Sequence, residues 1–153
     1  MRIKLKNLIK EETSLITEGT RWNVGIEAPN GKIATTYGHW DGYPEWAGKY
    51  LKRFYNNPMK VKQLLKLGQQ GISSIDKSMK GGKDHSFESP KKGETIFYGR
   101  DRGEKRNATS KWKNRDAVKF HSGEEFAYIF SMKDKKWYYK AKYGRPTDWT
   151  LLK

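Results

Sequence analysis

The spacing of apolar residues changes from alternating to helical at Pro44, and that switch constrains the fold more than any other feature of the chain. Before it, Trp22 to Ile26 and Lys32 to Tyr37 are β-rich runs that flank Pro29-Asn30-Gly31. Asn-Gly between two such runs suits the positive backbone angles of a tight turn, so an antiparallel hairpin is expected over 22–37. After the switch, Trp46, Ala47, Tyr50, Leu51 and Phe54 recur at helical spacing. Pro44 fits the first helical position, where no N–H is needed, and Glu45 favours the positive end of the helix dipole. A helix over 44–56 is expected to stop before Pro58. A second, over 58–67, buries Val61, Leu64 and Leu65 and ends at Gly68.

Downstream, Gln69 to Lys92 is polar and Gly-rich and reads as a loop anchored by Ile72 and Ile75. Thr95 to Tyr98 is a short β run, and the charged stretch Gly99 to Asn114 reads as a second loop. Phe126 to Met132 and Lys136 to Lys142 flank Lys133-Asp134-Lys135 as another hairpin, with Phe126, Tyr128 and Phe130 on one face. The order strands, helices, strands predicts an α+β domain: a small antiparallel (or mixed) sheet with two consecutive helices packed on one side. Residues 20–153 read as that single domain, and 1–19 as a basic N-terminal segment or arm. Only 35% of residues are hydrophobic, but 6 Trp, 9 Tyr and 6 Phe bury large areas each and can carry a core.

Charge sets the class of partner. Lys and Arg total 32 against 17 Asp and Glu, a formal net charge of +15. Solubility of a small domain needs only about 2 to 8 charges. The excess costs self-repulsion and points to an anionic partner: DNA, RNA, anionic lipid or an acidic host protein. The absence of cysteine excludes disulfides, thiolate chemistry and Cys-based zinc sites. No apolar run approaches the ~20 residues of a membrane span. Met1 to Glu12 carries closely spaced charges, unlike a signal peptide, so a cytoplasmic location is expected, in a bacterium or an infected cell. No cofactor motif occurs and no cofactor is expected; a P-loop is absent because no Gly-Lys-Ser/Thr triplet is present.

Three turns carry the candidate chemistry. His39-Trp40-Asp41-Gly42-Tyr43-Pro44 places an imidazole and a carboxylate two residues apart, a possible acid/base or metal-ligand pair. Asp-Gly turn chemistry accounts for Asp41 without any catalysis. His85 in Asp84-His85-Ser86-Phe87 and Asp101 in the Tyr98 to Arg106 stretch complete a weak hydrolase set of His39, Asp41, His85 and Asp101, which would require a divalent metal and convergence in space. For phosphate contact the candidates are Lys49, Lys52 and Arg53, which share a helix face, and Arg100, Arg102, Arg106, Lys111 and Lys113. Lys136-Trp137-Tyr138-Tyr139-Lys140 interleaves bases with aromatics, but in a strand one side of that alternation must be core.

The run Tyr37 to Pro44, the segment Val61 to Ile75, His85-Ser86-Phe87, Phe97 to Glu104, Glu125 to Phe130 and Trp137-Tyr138-Tyr139 together resemble a group of small proteins of tailed phages and some bacteria. The resemblance spans roughly residues 20 to 142. It implies a viral or prophage setting and carries no activity, catalytic residue or cofactor with it. The expected function is that of a phage-type accessory protein binding nucleic acid or a host nucleoprotein machine through its basic surface. The alternatives are the metal-dependent phosphodiesterase above and a basic virion or head-associated protein. The last rests on Ile16-Thr17-Glu18, which matches the apolar-x-Glu sites cut by prohead proteases of T-even-like phages.

Overall fold

The computed structural model describes residues 19–121 and 123–153. The basic arm and the Ile16-Thr17-Glu18 match lie outside the described residues, apart from Gly19. The expected hairpin is present as β1 (Trp22–Glu27) and β2 (Ile33–Gly38), paired antiparallel with Trp22 opposite Gly38. Its turn is closed by Gly31 N–H on Ala28 O and Lys32 N–H on Asn30 Oδ1, with Gly31 at φ 91°. That positive angle is the reason a glycine follows the asparagine. A π-helical turn, Pro44–Gly48, runs into α1 (Lys49–Phe54). Helix α2 (Pro58–Leu67) starts with the Asn57 side chain accepting from Lys60 N–H, so both Asn57 and Pro58 define its start.

Two stretches read as loops contain regular structure. β3 (Ile72–Ser74) lies within 69–92 and runs parallel to the end of β2, with Ile72 opposite Gly38. The charged stretch holds α3 (Tyr98–Arg102), which follows directly on β4 (Ile96–Phe97), and β5 (Thr109–Trp112), antiparallel to β2. Local polarity hid these strands; they pair through backbone groups, and Ile72 and Ile75 are fully buried. A 3-10 turn, Arg115–Ala117, precedes β6 (Phe126–Ser131) and β7 (Lys136–Ala141), the second expected hairpin, and β8 (Thr150–Leu151) closes the edge.

The result is a mixed α+β fold on an eight-stranded sheet of order β4-β3-β2-β1-β6-β7-β8, with β5 on β2. It is larger than the small sheet expected, because β1 also pairs in parallel with β6 and joins the two hairpins. Alternation sends Trp22, Val24, Tyr128, Phe130 and Trp137 to one face, where they share a buried cluster with Leu51, Tyr55, Val61 and Leu64. The opposite face carries a smaller cluster of Ile33, Val118 and Ile129, flanked by Trp112, Tyr138 and Trp149. Each fully buried large side chain contributes about 1.5–3 kcal/mol. The aromatic-rich composition thus supplies the core, and Trp137 and Tyr139 of the basic-aromatic strand are packed against it rather than offered to bases.

Candidate functional site

The corner from His39 to Pro44 is built around Trp22. A Cβ on Gly42 would sit 2.5 Å from the Trp22 ring, and one on Gly38 would also overlap the indole. Trp22 Nε1 donates to Trp40 O (3.2 Å), and the buried Tyr128 hydroxyl donates to Gly42 O (2.6 Å). Asp41 occupies the left-handed region at φ 56°, and its carbonyl accepts from Ala47 N–H. Asp and Asn tolerate that conformation better than other non-glycine residues, so its place is explained by the turn. His39 Nδ1 shares a 2.7 Å hydrogen bond with the Tyr37 hydroxyl, and its ring lies edge-on to Trp40. Burial, followed by the Arg21 charge, lowers its pKa and favours the neutral imidazole.

His85 and Asp101 do come together, as a structural staple. His85 Nδ1 accepts from Lys91 N–H (2.9 Å), which leaves Nε2 to carry the proton toward Asp101 Oδ2 (3.1 Å). The same oxygen accepts from Phe97 N–H, and Arg100 Nε donates to Oδ1 at 2.8 Å. Burial alone would raise the Asp101 pKa, but hydrogen bonds from Arg100, Phe97 and His85 hold the carboxyl below its ordinary value. The two side chains are 0% and 4% exposed, so no substrate reaches them. Arg100 also donates to Met79 O and Thr95 O and stacks over Phe97, which engages its guanidinium with the protein and removes it from the phosphate-contact set. The hydrolase set is therefore not assembled. His39 is bonded to Tyr37, Asp41 shapes a turn, and among the described residues no group of three or more His, Asp and Glu is placed to hold a metal.

A stability prediction follows for the staple. His85→Ala takes one of several donors from Asp101 and the acceptor of Lys91 N–H, and it empties a side-chain position that is 0% exposed, where truncation to Ala typically costs about 2–5 kcal/mol. A loss of about 2–4 kcal/mol in urea denaturation, with faster proteolysis within 76–94, is expected. Unchanged stability would contradict the staple.

The site with open chemistry is a cleft of about 480 Å³ lined by Asn23, Tyr37, Tyr98, Arg102, Arg106 and Glu124, among others. Asn23 and Tyr37 alternate with Trp22 and the strand residues of the main core, which places the cleft on the sheet face opposite that core cluster. Arg102 is held over the rings of Phe87 (4.9 Å) and Tyr98 (5.7 Å). Glu124 is 1% exposed; burial raises its pKa, partly offset by His121 N–H, which donates to Oε1. Its Oε2 faces His121 Nδ1 across 3.9 Å. Arg21 stands beside Tyr37, and Gly123, at φ 84°, leaves room for its guanidinium: a Cβ there would lie 2.7 Å from a terminal nitrogen. Among the described residues, two donors at this place have no partner, Asn23 Nδ2 and Arg21 Nε. A buried donor left unmade costs about 1–3 kcal/mol, so such atoms mark places where a ligand acceptor is rewarded.

Of the basic candidates, the cleft gathers Arg102 and Arg106. Lys49, Lys52 and Arg53 are exposed on α1 and line a different groove with Tyr139 and Lys153, on the face of the main core cluster. Lys111 borders a third, apolar groove with Lys32 and Lys62, and Lys113 is exposed. The stripe and the loop arginines therefore do not form one surface. Asn23, Tyr37 and Glu124 were missed because residues in or beside strands read as packing. The available signal was the polar Asn23 set between Trp22 and Val24 in an otherwise buried strand.

Comparison with protein families, curated proteins and solved structures returned no match. No helix among the described residues is long and apolar enough to cross a membrane.

Proposed function

We propose that this is a nucleic-acid-binding accessory protein of the phage type, acting in the cytoplasm of a bacterial or infected cell. In this reading the two consecutive helices back one side of the sheet and the cleft side meets the polyanion. One observation carries it: four carboxylates are buried or paired inside the fold while the candidate basic side chains stay outside, and among the described residues the exposed acids, Glu45, Asp84, Glu88, Glu104, Asp116, Asp134 and Asp148, are outnumbered by exposed Lys and Arg. Asp101, Glu94 and Glu124 are buried, and Glu27 is tied to Arg115 at 2.8 Å. Among the described residues, Lys49, Lys52, Arg53, Arg102, Arg106, Lys111 and Lys113 are exposed and none forms an ion pair. The surface is thus more positive than the composition suggests, and an unneutralised basic surface binds phosphate backbones by releasing condensed counterions.

The test is a salt titration. Filter binding of the full chain to DNA and RNA should show tight, weakly sequence-dependent retention in about 50 mM salt, with log affinity falling against log salt at a slope of about −3 or steeper. No retention of either polymer in low salt would sink the reading and leave an acidic protein as the partner to seek.

A further inference from the structure

We propose that the cleft seats one unpaired nucleotide of a single strand, with its phosphate on Arg102 and Arg106 and an acceptor of its base on Asn23. The inference rests on the nucleic-acid reading above and names the form of nucleic acid. Asn23 is 4% exposed, its buried Nδ2 has no partner among the described residues, and the residue lines the cleft. The arginines already supply donors for a phosphate, and the amide of Asn23 adds a further donor that an acceptor on the edge of a nucleobase can meet. Tyr98 and Tyr37 add ring surface, and Glu124, which also lines the cleft, carries a carboxylate that can accept from a base amine. Arg102 is already stacked on two rings, so its guanidinium is ordered before a ligand arrives. The volume of about 480 Å³ falls in the range of single-ligand pockets. A duplex keeps its bases stacked and cannot place one there without first extruding it, which carries its own energetic cost.

The experiment measures fluorescence anisotropy of the full chain with three labelled probes of equal charge, each about 15 nucleotides in all, so that the duplex has about 8 base pairs, within the usual site sizes of single-strand binders. These are a mixed-sequence single strand, a duplex matched for phosphate number, and a strand of abasic spacers. The single strand should bind about tenfold tighter than the other two, in the range that base contacts supply. Asn23→Ala removes the amide donor and should cut that preference to about threefold or less while leaving spacer binding unchanged. Its thermal unfolding should stay at or above the wild-type value, because an unpartnered donor has been removed. Tyr98→Leu is the second variant; it removes ring surface and also one of the two rings that hold Arg102, so it should weaken single-strand binding more than spacer binding. Equal binding of all three probes, or equal loss on all three in both variants, overturns the seat while the nucleic-acid reading stands. Failure to bind any probe overturns both. Free nucleoside monophosphates that displace the strand at concentrations matching its own affinity would assign the cleft to a soluble nucleotide and overturn the strand.

Discussion

Gly42→Ala is expected to cost more than about 3 kcal/mol of folding stability, at the upper end for overpacking a core. The new Cβ would lie 2.5 Å from two atoms of the Trp22 ring and 2.6 Å from its Cβ. Relief by moving the indole is blocked. Trp22 lies in β1 between β2 and β6, has Gly38 against its other edge, meets Tyr128 in a T-shaped contact at 5.9 Å, and donates to Trp40 O. Relief by moving the backbone would break the Tyr128 bond to Gly42 O. Thermal or urea unfolding measures the loss. Gly31→Ala is the control: its Cβ meets nothing within 4 Å, so only the strain of φ 91° remains, about 1–2 kcal/mol. If Gly42→Ala unfolds within about 1 kcal/mol of wild type, the corner is looser than its packing indicates, and Asp41 needs another explanation.

The same corner shows how far sequence reading reaches. Both hairpins and both helices were legible, because Asn30-Gly31 and Asn57-Pro58 state local backbone requirements that hold in any context. The parallel pairing of β1 with β6 was not, since residues Trp22 and Phe126 are brought together by topology and no local pattern encodes the partner of a strand. For the same reason β3 and β5 passed as loops. The candidate site divides in the same way. Arg102 and Arg106 stand in a visibly basic stretch and do line the cleft. Arg100, two residues from Arg102, has the same local chemistry but is engaged by Met79 O, Thr95 O and Asp101, which are remote in sequence or fixed by the turn. His85 and Asp101 looked catalytic because each sits in a polar turn; their mutual contact is real, but every donor and acceptor is already matched. Glu124 offered no signal beyond a carboxylate at the start of a strand, and its raised pKa arises from burial that only the tertiary structure creates.

The largest effect on binding is expected from reversing charge on one side of the sheet. Two unit charges about 4 Å apart in water interact by about 1 kcal/mol, so turning an arginine into a glutamate beside a phosphate swings about 2 kcal/mol. Arg102→Glu with Arg106→Glu should therefore weaken strand binding by up to about a thousandfold at low salt. Near physiological salt, screening over about 8 Å should reduce this to roughly ten- to hundredfold. Both residues are exposed. Arg102 contributes cation–π contacts to Phe87 and Tyr98, worth about 0.5–1 kcal/mol at such a position, so the double variant remains folded and its loss is a binding loss. Lys49→Glu, Lys52→Glu and Arg53→Glu carry one more reversal, and on net charge alone they should do more damage. They lie instead beside Tyr139 and Lys153 on the face of the main core cluster, across the sheet from the cleft. If the cleft side is the interface, the triple variant loses about threefold or less, through the long-range field alone. Anisotropy titrations of both variants at two salt concentrations decide the matter. A dominant loss in the triple variant would move the interface to the α1 groove, and equal small losses in both would show that positive charge on this fold serves something other than nucleic acid.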